Sequence, residues 1–237
     1  MQEDTNVSPI NPLPSVVAAL FIMMIGIEVV FALGARGIIG DSNALGWRVA
    51  AVETYGFNGQ ILDWMLVNGV YPVEHLIRFV AFLFVHASFT HALFVGIMVL
   101  ALGKMVGEVF SPIATLTIFL MSGVFGAAAY GYVLNEPHWL IGGFPGVYGL
   151  IGAFTFLQWI HLRVLGKSQR RAFSLIGALM GIQLLFGVLF GGSYDWLADA
   201  AGFAAGFCLS FFVGPLPVRA QRSHPCRWQT RHTASLV

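Results

Sequence analysis

A chain of 237 residues that is 57% hydrophobic and only 10% charged, with a mean hydropathy of +0.79, carries more apolar surface than one soluble core can bury. A net charge of +1 gives no overall attraction for nucleic acid, and with two cysteines a disulfide framework is not expected. The expected solvent is a lipid bilayer.

Residues 1–15 are acidic and proline-containing, with no basic n-region and no A-x-A site soon after the first apolar stretch, so they read as a cytoplasmic tail and not as a cleaved signal peptide. Six windows then approach the roughly 20 apolar residues that a crossing helix needs: 16–33, 79–103, 112–133, 139–162, 172–192 and 196–213. The fold class is therefore all-α and membrane-embedded, one transmembrane domain over 16–214. Between the first two windows, residues 34–78 are too long and too aromatic (Trp47, Tyr55, Phe57, Trp64, Tyr71) for a bare linker. ILDWMLVNG within it has the spacing of a short amphipathic helix, so a structured outer loop is expected.

If the six spans alternate, Lys104, Arg163, Lys167, Arg170, Arg171, Arg219, Arg222, Arg227 and Arg231 share one side, and Arg36, Arg48 and Arg78 the other. That bias predicts both termini in the cytoplasm, with residues 215–237 as a basic tail. Cys226 in that tail reads as a free thiol, and Cys208 lies in the last span. Small-xxx-small pairs at Gly177/Gly181, Gly187/Gly191 and Gly202/Gly206 predict close helix approach in the later spans.

Ionisable groups inside spans are costly and mark candidate sites. Glu28, His86, His91, His161 and Asp199 qualify. His161 sits at a helix end beside Arg163 and reads as a headgroup or carbonyl contact. Glu28 has no partner visible in the sequence.

Three segments carry a specific pattern. The first is HLIRFVAFLFVHASFTHALFVGIMVLALGKMVGE, in which Arg78 precedes His86 and His91, and Gly103 and Glu108 close the helix. The second is GGFPGVYGLIGA, residues 142–153, and the third ADAAGFAAGF, residues 198–207. In order and spacing they resemble the rhomboid family of intramembrane serine proteases, which implies a six-helix bundle. The resemblance puts the family's nucleophilic serine at Phe144, or Pro145 in the adjacent register, its histidine base at Asp199, and its side-chain oxyanion donors at His91 and Val95.

A serine protease needs a nucleophile, a base and oxyanion donors together. Phe144 has no hydroxyl, Pro145 has neither hydroxyl nor N–H, and Val95 has no donor. Tyr148 is a poor nucleophile because of its high phenol pKa. Ser88, Thr90, Ser122 and Ser193 do not begin a Gly-rich helix. The expectation is a pseudoprotease that binds transmembrane segments of client proteins without cutting them. The alternative is an active rhomboid-type endopeptidase with a divergent catalytic site.

His86, His91, Phe144, Pro145, Tyr148 and Asp199 are the expected lining of the client cavity, with Phe144-Pro145 as its plug and Pro145 favouring a helix start. Asp199 is expected to pair with His86 or His91. A metal site from these three is not expected, because five residues on one helix place the histidines about 140° apart, and no cofactor is expected. The expected location is a bacterial inner membrane.

Overall fold

The computed structural model describes residues 12–134, 137–190 and 194–214. The first eleven residues, Ser193, the Gly187/Gly191 pair and the tail with Cys226 lie outside them in whole or in part.

Helix α1, Ser15–Ala35, follows Pro14, and its most apolar 18-residue stretch has a mean hydropathy of 2.7. The long loop is structured, as its aromatic content predicts: a 3-10 turn at Ser42–Gly46 leads into α2, Trp47–Tyr55, and ILDWMLVNG falls in α3, Gly59–Asn68. Asn58 caps α3 through its side chain, and Gly69 ends it at φ +65°, a left-handed conformation that glycine adopts without strain. The short helices α4, Val73–Leu76, and α5, Arg78–Ala81, complete the loop.

The second window does not form one helix. After α5 come a 3-10 turn at Phe82–Phe84 and extended Val85. Helix α6, Phe89–Gly107, starts only where the Ser88 hydroxyl accepts a hydrogen bond from the His91 amide at 3.2 Å. The break persists because its carbonyls are used elsewhere: Phe82 O accepts from Gly142 N at 2.9 Å and His86 O from Arg48 Nη1 at 3.0 Å.

Helix α7, Pro112–Leu134, follows. The window beginning at 139 opens as a strand: β2, Trp139–Leu140, pairs antiparallel with β1, Phe57–Asn58, in the register Phe57 to Leu140 and Asn58 to Trp139. Only then does α8 begin, Phe144–Val164, with Pro145 in its first turn, where a missing N–H costs nothing. Helices α9, Ser174–Phe190, and α10, Trp196–Val213, complete the described chain.

Among the described residues α1, α6, α7 and α10 are long and apolar enough to cross a membrane. Helix α8 is the core, with Pro145–Ala153 continuously buried. It crosses α10 with backbones in contact: a Cβ on Gly206 would lie 2.1 Å from Gly149 O, and one on Gly152 2.3 Å from Phe203 O. The expected role of Gly202/Gly206 is thus realised. Gly177/Gly181 differs from expectation, since among the described residues no atom of another element lies within 4 Å of a Cβ built at either glycine. Helix α9 presents them away from its neighbours.

Candidate functional site

The segment 142–145 is held by what surrounds it. Gly142 adopts φ +99°, and a Cβ there would fall 2.7 Å from both Cε1 and Nε2 of His91. A Cβ on Gly143 would meet Val95 Cγ1 at 2.8 Å. The two glycines therefore let the chain pass directly over α6. Phe144 then lies over the His91 ring, with centroids 5.3 Å apart and planes at 21°. His91 meets His86 edge-on, centroids 5.2 Å apart at 89°.

His86 and His91 approach each other more closely than a shared helix would allow, because His86 precedes α6. The 140° separation expected from the sequence does not apply. His86 is fully buried, and neither of its ring nitrogens has a hydrogen-bond partner among the described residues, nor has Nε2 of His91. No third His, Cys, Asp or Glu joins them in a metal-holding group among the described residues.

Asp199 is paired, but not to a histidine. Its Oδ2 accepts from Gln183 Nε2 at 2.8 Å, and Gln183 Oε1 accepts from the Tyr148 hydroxyl at 3.0 Å. Gln183 has one donor group and one acceptor, and both are used, so a single amide of α9 ties α8 to α10. The expected His86 or His91 partner is replaced by an amide that no sequence motif flagged.

Pro145 is buried against α7 and α10: a Cβ on Gly126 would be 2.9 Å from Pro145 Cβ, and one on Gly202 2.3 Å from Pro145 O. Val95 is fully buried under Gly143. Of the hydroxyls considered, Ser88 caps α6, Thr90 is exposed in its first turn, and Ser122 is fully buried against Gly149. His161 is exposed at the end of α8.

Glu28, for which the sequence offered no partner, forms an ion pair with Arg48 of α2 and is fully buried. Arg48 also stacks over Phe31 at 5.6 Å and donates to His86 O, so one guanidinium joins α1, the loop and the segment bearing His86. The partner lay twenty residues on, outside any span, where helical periodicity carries no information.

Long apolar helices around a buried histidine, His86, and a buried carboxylate, Asp199, define a helical membrane protein whose polar site lies inside the bundle. The rhomboid domain model matches residues 73–216, and the chain belongs to the rhomboid family. No curated protein matches the chain.

Proposed function

We propose that this chain is a six-span rhomboid pseudoprotease with both termini cytoplasmic, α8 and α9 completing the spans, which binds transmembrane helices of client proteins without cleaving them. The observation that carries this reading is Phe144, which stands at the family's nucleophile position, offers no hydroxyl and covers His91, the remaining oxyanion position. Two further features support it. The base position, Asp199, is engaged by Gln183, and Pro145 supplies no amide donor at the start of α8.

Hydrolysis inside a bilayer requires an activated nucleophile, because a neutral hydroxyl or water is too weak. A bundle with these side chains still offers apolar helix faces and buried polar groups to a client. The test is reconstitution of the purified protein in liposomes with several single-span rhomboid substrates, read on gels together with photo-crosslinking. Crosslinks to intact substrates are expected. Cleavage together with fluorophosphonate labelling, both lost on replacing one serine or threonine, would instead establish the divergent endopeptidase.

A further inference from the structure

An opening with aromatic and polar walls lies at the loop end of the bundle, built by segments outside the His86 and His91 site. Asn58 and Trp139 oppose each other in the β1–β2 pair, α3 adds Gln60, Ile61 and Trp64, and α4 adds His75. Together they line a cavity of about 320 Å3. That volume falls at the small end of the range of small-molecule sites, about 300–1,000 Å3.

The walls are fixed by contacts among the described residues that use up Asn58 and leave the Gln60 amide free. Asn58 is spent as a strut: its Oδ1 accepts from Gln60 N at 2.8 Å and its Nδ2 donates to Pro137 O at 3.0 Å. Arg78 places its guanidinium 5.5 Å from the Trp139 ring centre and donates to the carbonyls of Glu53 and Gly56, each at 2.8 Å. Trp64 stands edge-on to His75, centroids 5.7 Å apart at 86°, and remains 46% exposed. Both indoles line the cavity instead of closing it.

No Asp, Glu, Lys or Arg is among the described lining residues, so the cavity has no charge to pair with a phosphate, a carboxylate or an ammonium group. It offers two indoles, the side-chain amide of Gln60 and the imidazole of His75, whose Nδ1 is enclosed and whose Nε2, like the Gln60 amide, makes no hydrogen bond among the described residues. A pyranose complements that set: its C–H face stacks on an indole while its hydroxyls donate to and accept from an amide and an imidazole. We propose that this opening binds a neutral sugar ring, free or carried as a lipid headgroup.

The experiment uses the full chain in phosphatidylcholine nanodiscs prepared without sugar-based detergent, since a maltoside would compete. Maltose, lactose and chitobiose are titrated by saturation-transfer NMR and tryptophan fluorescence. A parallel set of discs carries glucosyl diacylglycerol. Saturable binding of a soluble sugar, with a Kd of about 1 mM, identifies a free saccharide, whereas a response only to the glycolipid identifies the lipid-borne form. In either case Trp64→Ala and Gln60→Ala should each weaken binding about tenfold. Gln60 is exposed, so that variant keeps the fold even if the other does not. Silence with every probe, or binding that survives both substitutions, overturns the proposal and leaves the indoles as anchors at the membrane interface.

Discussion

On the proposed pseudoprotease reading, Phe144 combines two effects at one position: it offers no hydroxyl, and its ring covers His91. Restoring a serine alone therefore leaves the other requirements unmet. Phe144→Ser is expected to give no cleavage of a rhomboid substrate in liposomes, since Asp199 is held by Gln183 and Pro145 has no N–H. Cleavage by that single variant would show that Asp199 can act as base. Phe144→Ser also removes a partly buried ring and its stacking, and should lower stability by roughly 1–3 kcal/mol in a denaturation assay in mild detergent. The lack of a hydroxyl at 144 was legible in the sequence, because GGFPGVYGLIGA reads without gaps against the resembled motif as far as Gly152 and Ala153. Gln183 was not, since an amide in an apolar helix becomes a clamp only through neighbours that no spacing reveals.

Between elements, glycines of the same spacing have opposite consequences. Gly206→Ala places a methyl group 2.1 Å from the Gly149 carbonyl oxygen, so α10 must move off α8. A loss of at least about 3 kcal/mol is expected. Gly177→Ala meets nothing within 4 Å and should be neutral or stabilising by up to about 1 kcal/mol through helix propensity. Steric trapping in bicelles measures both, and equal effects would contradict the packing described for α9. Sequence supplied the small-xxx-small pattern at both pairs but not which helix turned it toward a neighbour. The same limit explains the second window: hydropathy ran unbroken through 79–103, while the helix start at Phe89 is set by the Ser88 cap and by carbonyls bonded to distant residues.

Across the whole molecule, Arg48 is one link between the loop and the bundle, through the buried carboxylate of Glu28. Arg48→Ala leaves Glu28 buried without its counter-charge, a change that costs about 3–5 kcal/mol for a fully buried pair. Arg48 is itself 27% exposed, so roughly 2–4 kcal/mol is expected. Glu28→Gln combined with Arg48→Ala should recover part of that loss, because the stranded charge is then gone. A double-mutant cycle on thermal stability checks both, and strict additivity would show that the two side chains are not coupled.

The same pair bears on how the protein is made. Arg48 is synthesised twenty residues after Glu28, an interval of about 1–4 s at 5–20 residues per second. During that interval the carboxyl of α1 has no counter-ion, and an acidic group near a helix centre costs about 2.5–3.5 kcal/mol to insert. The most apolar 18-residue stretch of α1 has a mean hydropathy of 2.7, the highest among the four apolar helices of the described residues, and that surplus offsets the cost of carrying the carboxyl.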